Sequence, residues 1–231
     1  MSEPITISSM DQALISDFLG AFPSEFIGLS EHGQKGSVQI YRLLAAGQPV
    51  AVEELADTLN MPVEDVKSTI EGWSGIFFDD GGKITGYWGL SVTEMPHRFL
   101  VNGHTLYNWC AWDSIFIPQV IGQMAYIESL DPETKESIRI TVAPEGVLAV
   151  EPAGTVISFM MPNTDQIRAD VIRSFCHYVH FFTSEDSAAT WISRSDKPED
   201  IVILSLEDGY RIGAEKNARQ YPSIFGNGWA K

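Results

Sequence analysis

Cysteine is scarce in this chain: 231 residues hold two, Cys110 and Cys176. Positive charge is scarce too, with 15 Lys and Arg against 31 Asp and Glu and a formal net charge of −16. A surface of that sign repels phosphate backbones and anionic lipid, so neither nucleic acid nor a membrane is an expected partner. Long apolar runs are missing, and stretches such as 155–162 are far too short to cross a bilayer. The opening Met1-Ser2-Glu3-Pro4 leads into no basic segment followed by an apolar one, so no secretory signal is expected and the expected location is cytoplasmic. In that compartment the two cysteines are not expected to form a structural disulfide. Internal repeats and low-complexity tracts are also absent.

What is present suits a packed fold. Hydrophobic residues make up 44% of the chain, with 6 Trp, 12 Phe and 7 Tyr. That is ample material for a core in one large domain or two small ones. The first segment, 1–33, reads as an N-terminal extension with a short helix over 11–22, capped by Asp11 or Ser9, and 28–36 reads as a loop. A helix over 39–46 stops at Gly47. Val52, Leu55, Ala56 and Leu59 then share one helical face, Asn60-Met61-Pro62 turns, and Val66, Ile70 and Trp73 form the inward face of a second helix over 63–73. Strands at 76–78 and 84–90 flank Asp79-Asp80-Gly81-Gly82, a hairpin signal. Two helices and a hairpin describe a winged-helix-like domain over 34–95. Its second helix carries one basic residue, Lys67, and its wing carries Asp79 and Asp80, so packing or covering suits it better than binding DNA.

Met95-Pro96 marks a boundary, and 96–231 reads as an α/β catalytic domain with a mixed or antiparallel sheet, giving an α+β chain overall. Strands are expected over 97–101, 125–129, 137–142, 155–161 and 201–206. Helices are expected over 104–124, with a bend near Pro118, and over 185–194 and 213–220. Ser184 is a candidate cap, the aromatic-rich 175–182 reads as extended, and the tail with Pro222, Gly226 and Gly228 reads as frayed.

Chemistry concentrates around the two cysteines. In 106–116, LYNWCAWDSIF, a helix would set Cys110 and Asp113 on one face, where a carboxylate can accept a thiol proton and later return it. A cysteine beside a helix-surface aspartate explains the same spacing without chemistry. Tyr107, Trp109 and Trp112 flank the pair, as core aromatics or as an apolar pocket. In 173–184, RSFCHYVHFFTS, a strand would align Cys176, Tyr178 and His180 on one face. Zinc sites gather four ligands at recognisable spacings and no second such pair exists, so His177 and His180 read as hydrogen-bonded residues. Arg173 is given no role.

These blocks carry a resemblance. Asn108-Trp109-Cys110-Ala111-Trp112-Asp113, with Ser174-Phe175-Cys176, Val179-His180-Phe181-Phe182 and Val150-Glu151-Pro152-Ala153-Gly154, resembles the alkylmercury (organomercurial) lyase family of mercury-resistance systems, over roughly 34–220. The first thirty or so residues resemble nothing in that family, and its further cysteines are lacking here. The resemblance implies a winged-helix-like part before an α/β catalytic part. It implies that Cys110 and Cys176 bind the mercury of substrate and product, with Asp113 as proton carrier and possible further ligand. It also implies no resident cofactor, a need for excess external thiol, a small organomercurial substrate, and a mercuric reductase as acceptor of Hg²⁺. Mercury is a soft cation and thiolates suit it. The alternatives are a non-catalytic thiol-based metal-binding or sensor protein, a dithiol redox protein and a structural zinc protein.

Overall fold

A computed structural model describes residues 5–6, 11–22 and 29–225. Ser9, the loop residue Gly28 and the tail from Gly226 lie outside the described residues. Helix α1 (Gln12–Gly20) is capped by Asp11, whose carboxylate accepts from Leu14 N–H at 2.8 Å. Helix α2 (Glu31–Leu44) begins well before the expected 39, because Ser30 caps it and Gly36 brings its backbone against Trp73 and Leu59. The glycines and polar residues of 31–38 hide a helical face from a periodicity reading. Helix α3 (Val52–Leu59) ends at Asn60 in the left-handed conformation, and α4 (Val63–Ile70) stops short of Trp73.

Eight strands form one wholly antiparallel sheet. In chain order they are β2 (Ile76–Phe78), β3 (Ile84–Tyr87), β4 (Leu90–Ser91), β5 (His97–Val101), β6 (His104–Asn108), β7 (Ala125–Leu130), β8 (Ser137–Ala143) and β9 (Gly146–Glu151). Their spatial order is β2-β3-β4-β6-β5-β7-β8-β9, so the sheet runs on across Met95-Pro96. A second, mixed sheet orders β1 (Ile5–Thr6), β12 (Ile201–Ser205), β10 (Val156–Met160) and β11 (Phe181–Phe182) as β1-β12-β10-β11, with β1 parallel to β12 and the other pairs antiparallel.

Several expectations change here. The segment 104–124 is not mostly helical. Asn102 and Gly103, both at positive φ, form a two-residue hairpin turn that sends 104–108 back as β6, and α5 occupies only Ala111–Ile121. The strand expected over 84–90 reverses at Trp88-Gly89 to give β3 and β4. The segment 175–182 is not continuously extended, since Cys176–Tyr178 forms a 3₁₀ turn before β11. Strand β9 and helix α6 (Thr164–Ser174) were not expected. Helix α6 changes course at Asp170 (φ −166°, ψ 95°), and β9 lacks the alternation of a half-buried strand. Helix α7 (Glu185–Ile192) is capped by Ser184 as expected. Helix α8 (Leu206–Gln220) starts seven residues before the expected 213, capped by Ser205. A short helical turn, α9 (Pro222–Phe225), follows where a frayed tail was expected.

All 11 residues of α5 are buried. A mostly apolar helix without a solvent face belongs in an interior, and α5 lies between β5, β6 and β8 on one side and α8 on the other. The close approach of α8 needs Gly213: a Cβ there would sit 2.5 Å from Cβ of Phe116. Trp112 Nε1–H donates to Gly209 O at 3.0 Å and Asn217 Nδ2 to Phe116 O at 3.2 Å, locking the two helices in register. Below the β7–β8 turn, buried Asp131 accepts from Thr183 N–H and Ser187 Oγ–H, tying that turn to β11 and α7. Among the described residues no helix is long and apolar enough to cross a membrane.

Candidate active site

Cys110 is not inside a helix. It is the N-cap of α5, with extended backbone (φ −142°, ψ 171°), and Asp113 is the third helical residue. Cys110 N–H donates to Asp113 Oδ2 at 2.9 Å, while Asp113 N–H turns back to the Cys110 sulfur, a reciprocal capping box. The expected neighbourhood of thiol and carboxylate therefore arises from a helix start rather than from a shared helical face.

Cys176 is brought to the same point through backbone. Ala111 N–H, at the head of α5, donates to Val179 O at 3.1 Å, and Val179 N–H donates to Cys176 O at 3.1 Å. Ser158 of β10 fixes this segment further, donating through Oγ to Tyr178 O at 2.7 Å and through its N–H to His180 O at 3.0 Å. The result is a cluster of Cys110, Asp113 and Cys176, one ligand atom from each, all within 4.8 Å of one another. All three side chains are buried, at 0%, 7% and 5% exposure. Among the described residues it is the one such group of three or more His, Cys, Asp or Glu. His177 and His180 do not join it: His180 Nε2–H donates to His177 O at 2.8 Å, as a hydrogen-bonded histidine should. Tyr178 donates instead to Asp196 at 3.0 Å.

Burial sets the ionisation of the cluster. It pushes the Cys110 thiol well up, reinforced by the hydrogen bond Cys110 makes to the Cys176 sulfur and by the Asp113 charge. That same hydrogen bond pulls Cys176 down, but burial and the Asp113 charge outweigh it and leave its thiol raised. Asp113 is pushed up to about 6, chiefly by burial, with its hydrogen bonds from Cys110 and the nearby Lys216 opposing. A carboxyl that titrates at about 6 can both take and give a proton near neutrality.

The cluster opens on a cavity of about 40 Å³ whose walls include Trp88, Trp109, Trp112, Phe175, Lys216 and both Asp113 and Cys176. Of the flanking aromatics, Trp109 and Trp112 line it and Tyr107 does not. Leu19 and Phe22, from the N-terminal extension, close one side, with Phe22 packed on Trp112 and Phe175 at centroid distances of 5.8 and 5.4 Å. Such a space, walled chiefly by apolar side chains, suits a small apolar group. Among the described residues the indole N–H of Trp109 is buried without a hydrogen-bond partner.

Three contributors were missed from sequence. Gly89 accepts through its carbonyl from Trp109 N–H (3.2 Å) and Asn108 Nδ2–H (3.0 Å), and its φ of +94° places it so close that a Cβ would lie 2.3 Å from Asp113 Cγ. Trp88 holds φ +31°, costly for a bulky residue, and is kept there by Tyr41 Oη–H donating to its carbonyl at 2.7 Å and by its own N–H donating to Gly75 O at 2.9 Å. Lys216 lies with Nζ 3.9 Å from the Phe116 ring centroid, and burial lowers it to about 7 against the pull of Asp113. The Trp-Gly pair at 88–89 between two short strands was the one available signal; nothing in the sequence distinguishes Lys216 from a solvated helix lysine.

Comparisons with known proteins point to one family. The family model described as alkylmercury lyase (MerB) matches residues 90–216. An alkylmercury lyase of Staphylococcus epidermidis is 38% identical over 189 residues, 82% of this chain and 84% of its own length. One of Pseudomonas putida is 37% identical over 194 residues, 84% and 85% of the two chains. A crystal structure of the mercury-bound form of MerB2 shares the fold, with TM-score 0.65 and 22% identity over 89% of this chain and 96% of that one. A mixed α+β architecture with antiparallel sheets, two thiols and a carboxylate meeting in a buried pocket, and sequence identity across most of the length converge on one assignment: this chain belongs to the alkylmercury lyase family.

Proposed function

We propose that this chain cleaves carbon–mercury bonds by protonolysis, with Cys110 and Cys176 as mercury ligands and Asp113 as proton carrier. The observation that supports it most is the convergence of two sulfurs and one carboxylate within 4.8 Å, with Cys176 and Asp113 lining an aromatic-walled cavity. The substrate enters as R–Hg–SR′. The thiol of Cys176 exchanges for the carried thiolate, giving Cys176–S–Hg–R and R′SH. Cys110 passes its proton to the Asp113 carboxylate and binds mercury as thiolate. Two thiolates push electron density onto mercury and make the attached carbon more basic. Asp113 then protonates that carbon, the carbon–mercury bond breaks with its electron pair going to carbon, and R–H leaves. Mercuric ion stays on two thiolates until external thiols exchange for it. No resident cofactor takes part in these steps.

The finer reading of the chain rests on the same ground. Residues 1–33 are an extension that covers the cavity through Leu19 and Phe22. Residues 34–95 are a winged-helix-like part, supported by α2–α4 and the β2–β3 hairpin, and 96–231 carry both cysteines. The location is cytoplasmic, with cytosolic thiols and a mercuric reductase as receivers of the product ion.

The test is benzene release from phenylmercuric acetate with excess thiol, measured by gas chromatography beside Cys110→Ser and Cys176→Ser. Benzene from the wild type alone is the expected result. Mercury bound at one equivalent with no benzene would overturn the reading.

A further inference from the structure

Beside the reaction cavity of about 40 Å³ lies a larger depression of about 610 Å³, and the two share Trp88 and Val171 as a common wall. Trp88 thus meets on one side the space that Cys176 and Asp113 line, and on the other an opening walled in part by Gly75, Phe77 and Ile172. Its indole is wedged from the outer side. A Cβ on Gly75, which lines the depression and not the cavity, would lie 2.4 Å from Trp88 Cε2. On the inner side it neighbours Trp109, at a centroid distance of 6.2 Å. The backbone that carries the indole stands at φ +31°. Such outliers persist where the surroundings over-determine them, and they cluster at ligand sites.

The reaction read above places the organic group along this wall. The carbon that leaves mercury must lie at the Asp113 carboxyl. Gly89, the residue after Trp88, stands against that carboxyl, where a Cβ would lie 2.3 Å from Asp113 Cγ. A water needs roughly 10–15 Å³ of such space, so the cavity holds about three groups of that size. A methyl or ethyl group fits. A ring fits only where a wall yields, and Trp88 is a wall with open space behind it. We propose that Trp88 determines specificity by size: its indole is a partition that admits short alkyl groups unmoved, yields toward the depression for a single ring, and excludes fused rings. The inference rests on the lyase reading above. Exposed Phe77, packed edge-on against Trp109 at 5.2 Å, offers apolar surface to a ring that passes the partition.

The experiment measures kcat/KM for hydrocarbon release from methylmercury, phenylmercury and 1-naphthylmercury, with the same excess thiol, in wild type, Trp88→Ala and Gly75→Ala. Trp88→Ala joins the two spaces, so the naphthyl-to-methyl ratio should rise at least about tenfold, the scale of a misfit relieved in an apolar pocket. Gly75→Ala should act in the opposite sense, lowering the phenyl-to-methyl ratio, because its Cβ drives the indole toward the cavity. Trp88→Phe, which keeps a ring beside Trp109, should give a smaller rise and serves where the alanine variant does not fold. A structural role alone would lower all three substrates together, so an unchanged naphthyl-to-methyl ratio in the Trp88 variants overturns the proposal. A second readout needs no turnover: the rate of Cys176 alkylation by N-(1-naphthyl)maleimide relative to N-methylmaleimide, read by peptide mass. That ratio should rise about tenfold in Trp88→Ala and fall in Gly75→Ala, and an unchanged ratio in both overturns the partition. If the wild type releases hydrocarbon from no organomercurial, the lyase reading fails and the maleimide ratio alone decides whether Trp88 is a partition.

Discussion

Cys110 and Asp113 cap one another: the backbone N–H of Cys110 donates to Asp113 Oδ2 at 2.9 Å, and the Asp113 N–H turns to the Cys110 sulfur. The helix start that fixes these two groups is thus the same feature that sets a carboxylate beside a nucleophile. An amide in place of the acid keeps the acceptor for Cys110 N–H but has no proton to carry. Asp113→Asn is therefore expected to fold and to bind phenylmercury, while benzene release falls by about 10²–10⁴-fold, the range for lost general acid–base catalysis. Bound mercury and benzene, quantified on the same sample, check it; benzene at the wild-type rate would refute the role.

The same residue opposes stability at high pH. Its carboxyl rises from 3.8 to about 6 in the folded state, chiefly through burial. A raised carboxyl contributes stability that is complete below the unfolded value and is lost as pH climbs through the folded one, so the window runs from about 4 to 6. Above it, Asp113→Asn should be more stable than wild type by about 2–3 kcal/mol, and at pH 4 the two should coincide. Urea midpoints at pH 4 and pH 8 give the comparison. The kinetic counterpart has the opposite sense: the carboxylate must be ionised to accept the Cys110 proton, so kcat/KM should fall as pH drops below about 6. A profile flat from pH 5 to 8 would count against Asp113 as the base.

What the sequence discloses of this molecule follows local signals. The α3 helix and the strands at 76–78 and 97–101 are readable because apolar periodicity or turn residues mark them without tertiary help. Cys110, Asp113 and Cys176 are readable through the resemblance their flanking residues carry. What is not readable depends on distant chain. Residues 104–108 look like the front of a helix, and pairing with β5 makes them a strand. Cys176 sits in an aromatic run with strand propensity, yet Ser158 and Ala111 hold that segment by its carbonyls in a 3₁₀ turn. Lys216 and Phe22 reach the cavity from opposite ends of the chain, a relation that no spacing encodes.

Gly89 is expected to tolerate no side chain. Its φ of +94° disfavours any L-residue, and a Cβ would stand 2.4 Å from Asp113 Oδ1. Gly89→Ala should cost about 2–4 kcal/mol of stability and, in whatever protein still folds, displace the Asp113 carboxyl and lower kcat by more than tenfold. Thermal unfolding and benzene release on the folded fraction measure the two effects separately. Wild-type stability would show that the turn relaxes freely.

Lys216 sets the field around Asp113. Burial brings it down to about 7, and Asp113 is the charge that holds it up. Removing the cation in Lys216→Met takes away one of the groups that keep the Asp113 carboxyl from rising further. The acid limb of kcat/KM should move to higher pH, leaving the rate at pH 6 roughly threefold lower and the plateau at pH 8 little changed. Lys216→Arg should restore the wild-type limb. A uniform loss across all pH values, unrescued by arginine, would instead make the residue a packing element over Phe116.

The two thiols should also differ in order of reaction. Cys176 lines the cavity and is 5% exposed, whereas Cys110 lies behind it at 0%, more strongly buried and donating its hydrogen bond to the Cys176 sulfur. That hydrogen bond favours thiolate at Cys176 and disfavours it at Cys110. Iodoacetamide at pH 8 should therefore modify Cys176 first, with Cys110 at least about tenfold slower even in Cys176→Ser, because access and ionisation both hold it back. Peptide mass mapping over a time course resolves the two rates. Equal labelling from the earliest points would mean that the cavity opens to both sulfurs alike, and Cys176 would lose its place as the thiol that meets the substrate first.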